Sequence, residues 1–500
     1  MNKKNKLVVT SIFVILLFVL VCNYMTCFID NKNKEFFRNF QVDSEELVVS
    51  MLRAEEEELA IDCYGLGFYE KQWEDFEPYT DDNWDRGYSR TSNMVFIPNN
   101  PYNLNYAIAG NYIKFKNGER YLITNTDVSE YFLIPILQTE GTLDPDKCGD
   151  ISNITFLNDH HEEIAKAKIK PYVAQYGLQG KLFRHLMFGM PYEEAVEILQ
   201  LLCALMMALV VMLISILLYK KYNILISLCF YLTFLLSPWV VNFARNLYWV
   251  EFLWFLPMLI GLFCSYKVED IRCRLASYML AFGAIAAKSL CGYEYISTIM
   301  LGLIMFLIVD FVTSIVKKDI DKSKLLFKTI LCIGIAALCG FAVALCMHAN
   351  FRGNGNLIEG IKSIYQEDVL RRTWGGDINN FSEHYRESFE ATAFDVLRKY
   401  FQFGTSIVTG VKGSLFPGVA TLPLIIFIYE GLKKRINVES ISMYIVFFVT
   451  SISWFVLGKS HSAEHTHMNY VMWYFGFVQI CFYIIIDWLM RTVSRKKGDY

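Results

Sequence analysis

Three short polar stretches interrupt an otherwise apolar chain, and each sets a cation beside a carboxylate or an imidazole. They read Asn242-Phe-Ala-Arg-Asn-Leu-Tyr-Trp-Val-Glu-Phe252, Lys288-Ser-Leu-Cys-Gly-Tyr-Glu-Tyr295 and Lys459-Ser-His-Ser-Ala-Glu-His-Thr-His-Met-Asn469. Such sets can neutralise an anionic leaving group and move a proton. Glu251 and Glu294 are the carboxylates available for proton transfer. Arg245, Lys288, Tyr293, Lys459, His461 and His467 are candidate substrate-binding groups. In the third stretch Glu464 and His465 are candidate ligands for a divalent metal, and on a helix His461 and His465 would share a face. No HExxH is present, and neutral histidines bonded to a phosphate or to neighbouring backbone are the competing reading. The bland reading of the charges is interfacial anchoring, with Arg245 paired to Glu251.

The elements that must carry these turns are apolar runs. The chain has 500 residues, of which 54% are hydrophobic, 16% aromatic and 19% charged, below the roughly quarter charged of a soluble domain. Runs of span length predict an all-α polytopic membrane bundle of about ten transmembrane helices. They are Leu7–Phe28, Ile198–Tyr219, Ile224–Val241, Phe252–Tyr266, Leu275–Ser289, Ile296–Val316, Leu326–His348, Phe416–Glu430, Ile441–Gly458 and Tyr470–Met490. The first follows Lys3, Lys4 and Lys6 and reads as an uncleaved anchor. Alternate connections are basic, from Lys220/Lys221 through Lys433/Lys434/Arg435 to Arg491/Arg495/Lys496/Lys497, whereas the short opposite loops carry only Arg245, Lys288 and Lys459. The positive-inside rule then puts both termini in the cytoplasm of a multi-pass plasma-membrane protein, with the three polar turns outside. Asp310 and Asp487, near the cytoplasmic ends of their spans, read as helix–helix hydrogen-bonding residues.

Residues 1–29 form the anchor, and 30–197 an inserted extracytoplasmic α+β domain. Residues 198–348 carry spans two to seven, 349–415 a second outer segment, and 416–500 the last three spans with a cytoplasmic tail. In the inserted domain Tyr112–Ile123 alternates about Asn117-Gly118, a hairpin signal. Asp159–Lys170 is charged and helix-compatible, and Tyr176–Met187 has the spacing of an interfacial helix before span two. The second outer segment turns amphipathic around Phe389–Phe403. Most of the thirteen cysteines lie in apolar runs, and no CxxC pair exists; only Cys63 and Cys148 sit in the inserted domain, where a disulfide is open.

A single anchor, a large first outer loop ending in the Tyr176-Gly-Leu-Gln-Gly-Lys-Leu-Phe183 helix, and short outer turns with Arg, Lys, Glu and His resemble the GT-C superfamily. Its members are multi-spanning glycosyltransferases that use polyprenyl-phosphate-linked sugars. The resemblance implies a polyprenyl-phosphate lipid and an extracytoplasmic glycan, lipid or protein acceptor as partners. It also implies a carboxylate base soon after the first span. Asp30 stands closest to that position, with Asp43, Glu45 and Glu46 nearby.

Other classes compete. A polysaccharide polymerase or ligase would use the arginines of the second outer segment, Arg352, Arg371, Arg372 and Arg386 with His384. A flippase or transporter would want charges deep in mid-span and broken helices. A scaffold needs no polar cluster in the turns. The net charge of -3 and the lack of a basic stripe exclude nucleic acid as a partner.

Overall fold

A computed structural model describes residues 3–71, 93–97, 101–127, 136–141, 143, 154–165, 167–373 and 386–498. It divides into two compact units, one of Met1–Val48 with Val173–Tyr500 and the other Val49–Tyr172. The inserted unit is therefore shorter than 30–197, because the segments on both sides of it pack with the helices.

The larger unit is helical. Its helices are α1 (Lys3–Thr26), α2 (Lys34–Asn39), α3 (Val42–Glu56, which runs on into the inserted unit), α4 (Leu178–Leu186) and α5 (Tyr192–Lys221). Then come α6 (Ile224–Leu236), α7 (Pro238–Val241), α8 (Phe252–Tyr266), α9 (Ile271–Cys291), α10 (Ile296–Val316) and α11 (Ile320–Arg352). The rest are α12 (Leu357–Ser363), α13 (Arg386–Glu390), α14 (Ala393–Tyr400), α15 (Phe416–Leu432), α16 (Val438–Leu457), α17 (Lys459–Glu464) and α18 (Phe477–Gly498). Among the described residues seven helices are long and apolar enough to cross a membrane, those containing α1, α5, α10, α11, α15, α16 and α18. The helices α6 and α8 are apolar but shorter, and α9 carries Arg272, Arg274 and Lys288 within its 21 residues.

Short side chains set where the helices begin. Asn223, Asp270, Asp319 and Asn437 each accept a backbone N–H in the first turn that follows, meeting donors that a helix start leaves unpaired. Where helices cross, glycine allows backbone contact: a Cβ on Gly261 of α8 would stand 1.7 Å from the Leu303 carbonyl oxygen of α10. Asp310 accepts from Lys221 Nζ at 2.8 Å and from Ser265 Oγ at 2.6 Å, tying α5, α8 and α10 together as expected of it. Asp487 differs, since it pairs with Arg491 one turn along its own helix.

Two expected spans have other limits. Ile224–Val241 breaks after Leu236, where Ser237 caps a new turn and Pro238 lacks the N–H to continue the old one. The last helix starts at Phe477 rather than Tyr470. Residues Asn469–Tyr474 instead form a 3₁₀ turn, closed by Gly476 at φ +99°. Their side chains anchor the preceding segment: Trp473 Nε1 donates to Tyr400 O at 3.1 Å, and Tyr474 Oη to Ile407 O.

The inserted unit holds strands β1 (Gly67–Lys71), β2 (Met94–Phe96), β3 (Tyr112–Lys114), β4 (Arg120–Asp127), β5 (Ile136–Thr139), β6 (Thr155–Leu157) and β7 (Ala167–Pro171). Five form an antiparallel sheet in the order β2-β5-β4-β3-β6, over a core that includes Val95, Ile113, Phe115, Ile123, Leu137 and Phe156. The hairpin about Asn117-Gly118 is present, with Tyr112 opposite Leu122. Its loop has three residues, since Phe115 N donates to Glu119 O and Gly118 takes the left-handed φ of +90°. Asp159–Lys170 is not a helix: Leu157 bridges Glu163, and residues from Ala167 pair antiparallel with β1, where Lys168 meets the buried Glu70 at 3.2 Å. Charges were read there as a helix surface, but they serve a strand edge. Cys63 is free and exposed, and Cys148 lies outside the described residues.

Candidate functional site

The loop between α9 and α10 needs two unusual backbone conformations, Gly292 at φ +149° and Tyr295 at φ +63°. They place Glu294 in the interior, 4% exposed. A Cβ on Gly292 would lie 2.5 Å from Glu294 Oε2 and 2.9 Å from Gln175 Nε2, so only glycine leaves room for this carboxylate. Glu294 Oε1 pairs with Arg372 at 2.8 Å, and Arg372 also reaches Asp368 at 3.3 Å. Asp368 and Glu367 in turn accept from Arg352 at the end of α11. A buried ladder Glu294–Arg372–Asp368–Arg352 results. Its arginine-bearing rung follows a π-helical stretch, Ile364–Leu370, a geometry that recurs at functional sites.

Gln175 and Gln179, ahead of and within α4, join this loop to the turn before α8. Gln175 Nε2 donates to Tyr248 Oη at 2.6 Å and to Glu294 at 3.3 Å. Gln179 Nε2 donates to Tyr248 O at 3.0 Å and Cys291 O at 3.2 Å. The buried face of α4 is thus Gln179, Gly180 and Phe183, while Leu182 and Leu186 are outward and half exposed.

From the other side comes the start of α3. Glu45 Oε1 accepts from Leu247 N at 2.9 Å, and Gln200 Nε2 donates to Glu45 Oε2 at 3.3 Å. Gln41 bonds His467 Nε2 at 3.0 Å and accepts from Trp249 Nε1 at 3.2 Å. Burial pushes the Glu45 carboxyl above its ordinary value, and the Leu247 N–H, Arg245 and Gln200 only partly offset it. Glu294 goes the other way. Burial would raise it, but the Arg372 and Lys288 cations outweigh that and hold it low and ionised.

The sequence-predicted residues fall into three groups. Glu294, Lys288 and Tyr293 line one buried turn: Lys288 Nζ donates to Gly292 O at 2.6 Å, and Tyr293 Oη bonds His348 Nδ1 at 3.0 Å. His461, His465 and His467 stand beside it, with the His461 and His465 rings 4.5 Å apart. Burial depresses all three imidazoles, His465 to about 4, so they are neutral. Glu464 approaches His465 at 3.8 Å, and among the described residues no group of three His, Cys, Asp or Glu has metal-holding geometry.

The remaining predictions sit elsewhere. Arg245 does not pair with Glu251: it donates to Gln200 Oε1 at 3.2 Å and lies over the Phe37 ring. Glu251 is fully buried, neither oxygen hydrogen-bonded, and burial drives its carboxyl far up into the neutral form. Lys459 is a structural tie, its Nζ bonded to Phe389 O and Ala391 O at 2.8 and 2.7 Å. Asp30 lies in a separate cleft with Lys32 and Lys412. His384 is outside the described residues.

An apolar groove of about 580 Å³ runs between α5, α8 and α9, from Lys220 at one end to Leu253 and Ala287 at the other. Ala287, which lines the groove, is followed in sequence by Lys288 of the polar cluster. No protein-family model, no curated protein and no solved structure matches the chain.

Proposed function

We propose that this chain is a membrane glycosyltransferase that moves a sugar from a polyprenyl-phosphate donor to an extracytoplasmic acceptor. One observation carries the reading. Cations meet neutral imidazoles in a buried polar cluster whose Lys288 follows, along α9, the groove-lining Ala287, and a lipid phosphate with a long tail would need both. Among the described members Lys288 is the cation with no carboxylate in ion-pair contact, its Nζ bonding Gly292 O instead, whereas Arg352 and Arg372 are matched by Glu367, Asp368 and Glu294. An anionic leaving group would give that ammonium a partner.

The chemistry assigns the parts. Glu45, the carboxyl raised by burial, takes the acceptor's proton as the acceptor oxygen bonds to the sugar's anomeric carbon. The bond from that carbon to the phosphate oxygen breaks, and its electron pair leaves with the polyprenyl phosphate. Lys288 and Arg372 stabilise the charge left there. Glu294, already paired to Arg372, positions these cations. It is not the base of this scheme, nor is the neutral and enclosed Glu251. The tail lies in the groove lined by Leu213, Leu217, Phe263 and Met279.

Purified protein in membranes would be assayed for sugar transfer or hydrolysis from a panel of radiolabelled polyprenyl-phosphate sugars. Lys288→Ala and Glu45→Gln would run alongside. Turnover that these variants lose supports the reading. A folded wild type inert with every donor defeats it.

A further inference from the structure

A second concave surface lies at the end of the bundle where α1 finishes, and it shares no lining residue with the Glu294 cluster. It encloses about 460 Å³ between residues 30–33, Pro238 and the segment 403–414, within the 300–1,000 Å³ range of small-ligand sites. One wall is a short hairpin, β8 (Ser406–Val408) with β9 (Val411–Lys412). That wall is held firmly. Thr409 N donates to Leu236 O at 2.8 Å, and Tyr474 Oη to Ile407 O. A Cβ on Gly413 would stand 1.9 Å from Thr405 O. The opposite wall is fixed through Asp30 O, which accepts Asn33 N at 3.0 Å, and through Asn33 Nδ2, which donates to Asn242 Oδ1 at 3.0 Å.

Polar residues line this cleft, and their side chains do not pair among themselves. Asp30, Lys32, Lys412, Thr405, Ser406 and Ser414 all line it. No ion pair or hydrogen bond joins any of these side chains to another described residue. Two cations and one anion, free of other partners on two facing walls, complement a ligand with a phosphate and an ammonium. The cleft's position narrows the choice. It sits where α1 ends at Thr26 and α15 begins at Phe416, both helices that can cross a membrane. Beside it Phe28 is 44% and Leu415 55% exposed, apolar surface for acyl chains.

We infer that this cleft binds the headgroup of a zwitterionic phospholipid carrying a primary ammonium, with the phosphate on Lys32 and Lys412 and the ammonium on Asp30. A primary ammonium offers three N–H donors to a carboxylate and hydroxyls. A quaternary ammonium offers none and selects aromatic faces, whereas the lining has a single ring, Phe403. Phosphatidylethanolamine is therefore preferred to phosphatidylcholine and to phosphatidylglycerol. The site is independent of the proposed transferase activity.

Native mass spectrometry of the full chain in detergent, with equal amounts of the three lipids bearing identical acyl chains, reads this directly. Phosphatidylethanolamine should be retained about tenfold over the other two. Asp30→Asn should remove the preference over phosphatidylglycerol. The Lys32→Gln/Lys412→Gln pair should reduce retention of all three, and Lys434→Gln, outside the cleft, should change nothing. All four proteins should melt together, since the replaced side chains make no internal bonds. Equal retention of the three lipids by the wild type, or an unchanged preference in Asp30→Asn, overturns the inference.

Discussion

Removing Arg372 tests whether the buried ladder is the keystone of the Glu294 cluster. Its guanidinium is 9% exposed and faces Glu294 and Asp368, each 6% exposed. Two unit charges about 4 Å apart attract by about 4 kcal/mol at an effective dielectric of about 20. Desolvating the guanidinium offsets much of the two attractions it makes, but deleting one partner exposes the full cost of the other. Breaking a buried pair in this way costs about 3–5 kcal/mol. The stranded Glu294 carboxyl can escape by taking a proton. Moving its titration up to neutral pH limits its share of the loss to about 3 kcal/mol, at about 1.4 kcal/mol per pH unit.

Arg372→Met, measured by denaturant titration of tryptophan fluorescence in micelles, should therefore lose about 3–5 kcal/mol at neutral pH. Glu294→Gln added to it removes the stranded charge. The double variant should recover about 1–3 kcal/mol relative to the sum of the singles. A pH series adds an independent check. Glu294 is held low in the fold, so its contribution is present above the unfolded value of 4.5 and lost as pH falls through the folded value. Arg372→Met should remove that acid-limb loss. Strict additivity, or a loss under about 1 kcal/mol, would show that the ladder is surface decoration and that Lys288 alone holds Glu294.

Other outcomes follow from the same geometry. The imidazole of His465 is lowered from 6.5 to about 4 in the fold, so stability should fall as pH drops through that window and level off below it. The ring is about one-third exposed, which limits the effect to about 1–2 kcal/mol, and His465→Gln should flatten the slope. Glu45→Gln should reduce sugar transfer by about 10²-fold or more with an unchanged melting curve, and equal turnover in the variant would remove Glu45 from the mechanism. Gly261→Ala should cost about 1–3 kcal/mol by driving a methyl into the Leu303 carbonyl, whereas Gly334→Ala, with open space around it, should melt with the wild type.

Hydrophobicity made the helices legible, because each long span must bury its own backbone hydrogen bonds and therefore reads as one apolar run. It misled where a run continues through a change of geometry. Ser237-Pro238 and the aromatic stretch from Tyr470 are as apolar as their neighbours, yet one is a cap and the other a 3₁₀ turn that anchors a loop. Charge placement likewise pointed to the three turns, and Lys288, Glu294 and the histidines do meet in the helical unit. What it missed are the connecting groups. Asp368 is one: it stands four residues before Arg372, an arginine the sequence pointed to only in the second outer segment, and helical spacing brings the two together. Gln41, Gln175 and Gln179 left no such mark. A buried amide works by donating to a carbonyl far along the chain, and nothing local distinguishes it from a surface one.

Glu251, six residues from Arg245 in sequence, and Glu45, which bonds the Leu247 N–H two residues beyond it, meet opposite surroundings. Glu251 has the right type and spacing to pair with Arg245, but the turn rotates it into an aromatic interior where Trp249, Trp254 and Tyr295 pack together. It is wholly buried with neither oxygen hydrogen-bonded, and burial drives its carboxyl up into the neutral form. Glu45 comes from a helix far earlier in the chain and takes the Leu247 N–H and the company of Arg245. Two carboxylates on one chain thus diverge through their surroundings alone. One is enclosed among rings, and the other is held at the edge of a polar cluster with its proton affinity raised. Only the second keeps polar partners, the Leu247 N–H and Gln200, and it is the one the proposed mechanism uses as its base.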